Sequence, residues 1–405
     1  MYKNHSTCRV CGNENLKEYI DLGMLPLSNN LLDNPNDIAE RYPLKVLLCE
    51  YCGLSQLSIV IDPSTLFSHY VYRSSINEGY RNHCRDMAKQ LKAAYGLDAD
   101  SFHIDIAGND GALLHEFNQI VGCRVLNIDP AENMVPICEA KGIRQFTAFW
   151  GKEAAQHLIN TLWPKADLIT ATNVFAHVDN VKEFIEAAAM VLKPTGVLIL
   201  EFPYLIDFVD KGEFDTIYHE HLSYFGIKPI IRLLENSSLN VMRVEKQSIH
   251  GGSVRVHIGN GEVHESVNQF VDNESGYNKI ETYKEFIEKV NNTIASFRKG
   301  VKLLKLSGNK ISAFAASAKG NTLLNCAGIT NGEIDFIFDE TQEKINKYSP
   351  GTGIMVVGLE DLEKESPDYL IVLSWNFLED IIKKTREVGY KGRYIVGIPE
   401  FKIID

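Results

Sequence analysis

Apolar and polar positions along residues 102–201 repeat a rhythm of strand, turn and helix. Phe102-His103-Ile104-Asp105-Ile106 is a short run of the kind that fills a buried strand. The small residues Ala107-Gly108-Asn109-Asp110-Gly111 turn the chain, and Ala112-Leu113-Leu114-His115-Glu116-Phe117 opens a helix. Further strands fall at 125–129, 167–171 and 197–201, the last after the turn Lys193-Pro194-Thr195-Gly196. Such alternation predicts a doubly wound α/β sheet. Upstream, the apolar spacing predicts a helix from about 78 to 95. Residues 202–305 leave the rhythm, apart from a glycine turn into a strand at 250–256 and a long amphipathic helix over 277–306. From about 308 the alternation resumes, with strands at 310–315, 334–339, 369–373 and 393–398 and a helix opening at 316–322. Both α/β units place small residues after their first strand. Their detailed sequences do not support an internal repeat, and they read as two independent ligand-binding lobes with a cleft between them.

Composition narrows the class. A chain of 405 residues predicts about two to four units. With 45% hydrophobic and 23% charged residues it reads as globular and soluble. A formal net charge of −12 argues against a sequence-independent grip on nucleic acid, which needs a basic face. No apolar run reaches the length of a membrane span, and the first residues lack the apolar core of a signal peptide. The expected compartment is the cytoplasm.

Two pairs stand out among the eight cysteines. Cys8-Arg9-Val10-Cys11-Gly12 and Cys49-Glu50-Tyr51-Cys52-Gly53 are both CxxCG, a loop that brings two thiolates to one ion while the glycine takes the turn. Four thiolates predict a structural zinc with no open position for chemistry, although the 37 intervening residues exceed the usual ribbon spacing. Cys84, Cys123, Cys138 and Cys326 are scattered and read as small buried residues.

Tyr218-His219-Glu220-His221 gathers two imidazoles, a phenol and a carboxylate among apolar neighbours. Its histidines are spaced i, i+2, unlike the i, i+4 of a helical zinc site. The stretch is either a polar, satisfied strand or loop end or a general base beside a reacting carbonyl. Asp129 ends the second strand, 24 residues after Asp105, where an acidic side chain takes the ribose hydroxyls of an adenosine ligand. A full GxGxxG is absent, which weakens a hydride-transfer reading. Asn173 and His177 follow a later strand, and Tyr70 and Tyr72 could form a lid. Lys319 and Asn321 open a helix in small residues, a setting that suits a phosphate, without the spacing of a P-loop.

Taken in order, these stretches resemble the S-adenosylmethionine-dependent nucleotide-sugar C-methyltransferase family, which acts on nucleotide-linked 4-keto deoxysugars. The likeness runs through the CxxCG pair with Gly53-Leu54-Ser55-Gln56-Leu57, Tyr70-Val71-Tyr72-Arg73-Ser74-Ser75, Asn109-Asp110-Gly111 and Phe214-Asp215-Thr216-Ile217-Tyr218-His219-Glu220-His221. It continues through Gly251-Gly252-Ser253, Ala318-Lys319-Gly320-Asn321-Thr322-Leu323-Leu324, Tyr348-Ser349-Pro350-Gly351-Thr352 and Trp375-Asn376. It implies a small zinc-binding lobe (1–68), a Rossmann-like methyltransferase domain (69–205), a catalytic segment with a helical connector (206–305) and a second Rossmann-like, nucleotide-sugar-binding lobe (306–405).

By that likeness Tyr72, His177, Tyr218, Glu220 and His221 line the reacting centre, with His221 the base that Glu220 or Tyr218 orients. S-adenosylmethionine would meet Tyr70, Ser74, Asp105, Gly108, Asn109, Asp110, Gly111, Asp129 and Asn173. The nucleotide sugar would meet Phe202, Tyr204, His219, Lys319, Asn321 and Asn376, and Cys8, Cys11, Cys49 and Cys52 would hold the zinc. The partner expected is a nucleotide-diphosphate 4-keto-deoxysugar methylated at C3 by a monomer, with neither nucleic acid nor membrane involved.

The chain departs from the pattern in three places. Ala107 replaces a glycine, which is tolerable at negative φ. Ser374 replaces a proline before Trp375-Asn376, and Lys344-Ile345-Asn346-Lys347 replaces a glycine-containing turn. An epimerase or ketoreductase, an O- or N-methyltransferase, and an inactive zinc-anchored binding protein are the competing expectations.

Overall fold

The computed structural model describes residues 2–68, 70 and 73–405. Its largest sheet has seven strands: Phe102–Ile106, Arg124–Ile128, Gln145–Phe146, Ala166–Thr172, Leu192–Pro203, Asn240–Gln247 and Ser253–Gly259. Counted along the chain, they lie in the order third, second, first, fourth, fifth, seventh, sixth. The first five are parallel, and Ser253–Gly259 runs antiparallel between the fifth and sixth. Strand order reverses between the first and fourth strands, so their carboxyl ends open a crevice. Phe102–Ile106 is buried at every position, as a strand covered on both faces must be.

The helix Glu78–Tyr95 covers one face of this sheet. Asn77 caps it by accepting from the Tyr80 N–H at 2.9 Å, and Gly96 ends it in the left-handed region. Tyr80, Cys84, Met87, Ala88 and Leu91 form its buried stripe.

In the N-terminal lobe the antiparallel strands Leu16–Pro26, Arg41–Cys49 and Ser55–Leu57 form a sheet with a fourth member from far along the chain, Ser223–Tyr224. Ser223 pairs with Gln56 and Tyr224 with Ser55. Arg41–Cys49 buries Tyr42, Leu44, Val46 and Leu48 at alternate positions, and Leu44, Val46 and Leu48 join one core with Phe214, Ile217, Leu222 and Tyr224. The segment bearing Tyr218 to His221 is therefore fastened to the N-terminal lobe by backbone pairing and by apolar contact.

The C-terminal sheet contains Ile311–Phe314, Phe336–Asp339, Met355–Gly358, Tyr369–Val372, Arg393–Val396 and Lys402–Ile404. Its order is third, second, first, fourth, fifth, sixth, all parallel but the last. Between the two large sheets runs the helix Tyr283–Leu306, which buries Tyr283, Phe286, Val290, Thr293, Phe297 and Val301. The expected helix start at 277 is six residues early: Gly276 turns at φ +91° and Lys279 is extended, so Ile280–Thr282 makes only a short 3-10 turn before the helix proper. No helix among the described residues is long and apolar enough to cross a membrane.

Candidate active site

A cavity of about 750 Å³ lies where the two large sheets face each other. It reaches from Gly108, Asn109 and Asp129 past His177, Tyr218 and His221 to Lys319, Thr341 and Asn376. The volume sits toward the upper end of the range for ligand sites.

The first wall is the turn after Phe102–Ile106. Gly108 has no room for a side chain: a Cβ there would lie 2.5 Å from Asp105 Oδ2 and 2.6 Å from Asn127 Oδ1. Its N–H donates to Asn127 Oδ1 at 3.1 Å. Asp129 Oδ2 accepts from the Asn109 N–H at 2.9 Å, and Oδ1 from the Ala131 N–H at 2.8 Å. A carboxylate at a strand end beside a bare glycine, both facing the cavity, fits a nucleoside with free ribose hydroxyls. Phe149 and Trp150 line the same end, an apolar wall suited to a purine that the sequence reading missed.

Ala107 overturns an expectation. Its φ is +54°, not negative, and its N–H donates to the Ile128 carbonyl at 2.7 Å. An alanine in the left-handed region costs about 1–2 kcal/mol, while glycine returns about 0.4–1 kcal/mol to the unfolded chain. Ala107→Gly is expected to leave the protein as stable or more stable, read as an equal or higher melting temperature. A clear loss of stability would contradict the backbone seen here.

Asp105 and Asp110 support this wall from behind and do not line the cavity. The Thr170 hydroxyl donates to Asp105 Oδ1 at 2.6 Å, and His103 Nε2 lies 2.7 Å from that hydroxyl. Burial pushes Asp105 up to about 7 and His103 down to about 3. Asp110, fully buried, accepts from the Ser75 N–H and hydroxyl and lies 3.5 Å from Lys141 Nζ. Asn109 Oδ1 accepts from the Ser74 N–H at 3.0 Å. The turn thus clasps residues 74 and 75, and Gly111 at φ +74° closes it. Asn173, also left-handed at φ +56°, reaches the cavity after the fourth strand.

The centre is built on two loops. His221 Nδ1 faces the Thr216 carbonyl at 2.9 Å, and a carbonyl only accepts, so Nδ1 carries the proton. Nε2 then holds a lone pair, met by the Tyr218 hydroxyl at 2.6 Å. The His177 ring lies 4.9 Å from that of His221, and burial lowers its pKa to about 4, so it is neutral. Glu220 does not orient His221. Asn29 Nδ2 donates to its Oε1 at 2.6 Å and the Tyr70 hydroxyl to its Oε2 at 3.1 Å. Burial pushes this carboxyl up to about 7. Asn29 belongs to the N-terminal lobe and faces the cavity; no motif marks it in the sequence. Tyr72 lies outside the described residues.

The second wall repeats the first in outline. Ala315, at φ +73°, follows the strand Ile311–Phe314 and donates to the Phe338 carbonyl at 2.8 Å. Asp339 ends the next strand and accepts from the Ala316 and Thr341 N–H groups, each at 2.8 Å. The acid at the end of a second strand was a legible signal, and the backbone likeness is closer than the side chains suggest. Here, unlike at Asp129, a buried cation stands beside it: Lys344 Nζ lies 3.4 Å from Asp339 Oδ2.

Lys319 faces the cavity with its ammonium 4.9 Å from the Trp375 ring centre and, among the described residues, no hydrogen-bond partner. Trp375 Nε1 donates to Asp215 Oδ2 at 2.8 Å. Burial raises the carboxyls of Glu213 and Asp215, and Lys319 counters it.

Four expected ligand contacts are placed elsewhere. Phe202 is fully buried against Phe175 and Phe225. The Tyr204 hydroxyl donates to Glu274 Oε1 at 3.1 Å. His219 is buried against Tyr42, and Asn321 donates to Ser349 Oγ and the Pro350 carbonyl. All four are chemically capable, but burial has committed them to packing and loop support.

The four knuckle sulfurs lie within 4.8 Å of one another, with Cys8–Cys52 at 3.5 Å and Cys11–Cys49 at 3.6 Å. Zinc–sulfur bonds of about 2.3 Å give tetrahedral edges of about 3.8 Å, so the set fits zinc with no position left open.

A doubly wound sheet with a nucleoside-shaped turn at its switch point, and its seventh strand inserted antiparallel beside the fifth, defines a methyltransferase of the S-adenosylmethionine-dependent class. Family models agree: a zinc binding domain matches residues 8–67, a methyltransferase domain 78–244 and a C-methyltransferase C-terminal domain 248–399. The C-methyltransferase NovU of Streptomyces niveus is 32% identical over 406 residues, spanning 98% of this chain and 96% of its own. The chain belongs to this C-methyltransferase family, with S-adenosylmethionine as donor and a structural zinc. Among solved structures, magnesium protoporphyrin IX methyltransferase from Synechocystis PCC 6803 with bound SAM is 17% identical, covering 45% of this chain and 80% of its own at a TM-score of 0.35. The N-methyltransferase NodS from Bradyrhizobium japonicum WM9 is 14% identical, covering 46% and 99% at 0.35.

Proposed function

We propose that the enzyme methylates C3 of a nucleotide-diphosphate 4-keto-deoxysugar, with His221 as the base. The observation that carries this reading is the single cavity joining the Asp129 turn, the His221 pair and Lys319. S-adenosylmethionine supplies an electrophilic methyl group, which only an electron-rich atom accepts. A sugar carbon becomes one when it lies beside a ketone and loses its proton.

In this reading His221 Nε2 takes the proton from C3, and the bonding pair moves into the enolate. The Tyr218 hydroxyl, already at Nε2, turns to donate to the C4 oxygen, where the negative charge gathers. Neutral His177 packs against the base and helps exclude water. C3 would take the methyl group as its bond to the donor's sulfur breaks and that electron pair returns to sulfur, and the proton on His221 leaves to solvent. Gly108, Asn109 and Asp129 hold the donor, and Lys319, with Asn376 beside it, meets the diphosphate. Lys319 and Lys344 both line this end of the cavity without a P-loop, which suits a diphosphate held by point charges more than one wrapped by backbone.

Labelled donor and a small panel of nucleotide-linked 4-keto sugars test the proposal by mass spectrometry. The expected product carries the label on C3, and without donor the same carbon exchanges its hydrogen with deuterated water. A methyl group on oxygen or nitrogen, or the absence of exchange, would refute it.

A further inference from the structure

We infer that Arg9, inside the first zinc knuckle, is a positioning residue that sets the two loops carrying His177 and His221. Its side chain is buried between them. Nε donates to Asp179 Oδ1 at 3.1 Å, two residues beyond His177. Nη1 donates to the Leu222 carbonyl at 3.2 Å, immediately after His221, and to the Leu57 carbonyl at 3.0 Å. One planar guanidinium therefore spans the carboxylate on one loop and the carbonyl on the other.

The knuckle fixes Arg9 in turn. Its own N–H donates to Gln56 Oε1 at 2.9 Å, and Gln56 Nε2 donates to the Thr7 carbonyl at 2.9 Å. Gln56 is the residue paired with Ser223, so the strand leaving His221 and the knuckle share one anchor. His5 Nε2 adds a second contact to Asp179 Oδ1 at 3.1 Å. The two histidine rings are not bonded to each other by the backbone between them. Their 4.9 Å separation depends on the loops being held in register, and Arg9 is a side chain that touches both loops.

A guanidinium fork can serve two acceptors in fixed directions, whereas an ammonium on a flexible stem serves them as a point charge. Misplacing a reacting group by about 1 Å can cost about a hundredfold in rate. Arg9→Lys keeps the charge and the reach to one partner but loses the span.

The inference rests on His221 acting as the base, and the test separates the two. Hydrogen exchange at the substrate carbon in deuterated water is measured for the full-length protein without donor, alongside turnover, zinc content and donor affinity by calorimetry. If the unaltered enzyme shows no exchange, the base reading fails and this inference falls with it. If it exchanges, Arg9→Lys is expected to slow exchange and turnover together by about tenfold or more, with one zinc per chain and unchanged donor affinity. Asp179→Asn, which keeps an acceptor but loses the charge, is expected to do the same more weakly. Exchange at the unaltered rate in Arg9→Lys would overturn the inference. So would a loss of zinc or donor affinity in step with the rate, since that marks a role in folding alone.

Discussion

His221→Asn is expected to lower turnover by about 10²–10⁴-fold and to leave the affinity for S-adenosylmethionine unchanged. The size follows from what a positioned base supplies, and the selectivity follows from the geometry. Nδ1 spends its proton on the Thr216 carbonyl, so Nε2 is the nitrogen with a lone pair to offer. Asparagine can keep the Thr216 contact through its amide but has no basic nitrogen. The proposed donor site is the turn at Gly108 with Asp129, which have their own hydrogen bonds to Asn127 and the backbone. Single-turnover rates, with calorimetry of donor binding, read both halves of the prediction. Unchanged turnover would remove His221 from the chemistry. Tyr218→Phe leaves the base and removes the hydroxyl at Nε2, so exchange at the sugar carbon should slow less than in His221→Asn. Glu220→Gln should act less still, because among the described residues Glu220 bonds to Asn29 and Tyr70 and not to His221.

The parts of this arrangement that local pattern encodes were readable along the chain. The strand at 102–106 and the helix at 78–95 have the same bounds in the structure, because a short apolar run ended by small turn residues and an Asn–Gly pair of caps are properties of neighbours in sequence. Two CxxCG loops announce their four sulfurs for the same reason. What local pattern does not encode is which distant strand a segment joins. Ser223–Tyr224 is two residues long and earns its place by pairing with residues 55 and 56, so nothing around it signals the N-terminal lobe. Asn29 meets Glu220 across 191 positions. Phe202, Tyr204, His219 and Asn321 carry suitable chemistry, and only the packing reveals that other residues already use it. Ala107 is a subtler case. Residue type argues for negative φ, but the hydrogen bond to Ile128 and the close approach at Gly108 hold the turn left-handed.

Removing the zinc is expected to abolish turnover while donor binding survives, and restoring zinc is expected to bring turnover back. Structural zinc sites contribute about 10–16 kcal/mol in isolated knuckle peptides, far more than a lobe built on a four-stranded sheet can spare. The knuckles hold Arg9 and Gln56, and that sheet carries Ser223–Tyr224 beside the proposed base. Loss of the ion thus reaches His221, and Asn29 at Glu220, through contacts already in place. The donor turn lies on a different sheet; Cys8, Cys49, Cys52 and Leu54 join one end of that sheet's core, but the turn is held by its own bonds to Asn127 and to the Ser74 N–H and should keep its shape. Cys49→Ser gives the same result without a chelator. Zinc content, turnover and donor affinity measured on one preparation decide the matter: turnover should follow zinc occupancy, and donor affinity should not. Zinc-free protein with full turnover would show that the N-terminal lobe does not hold the base, and the route from the knuckles to the cavity would have to be abandoned.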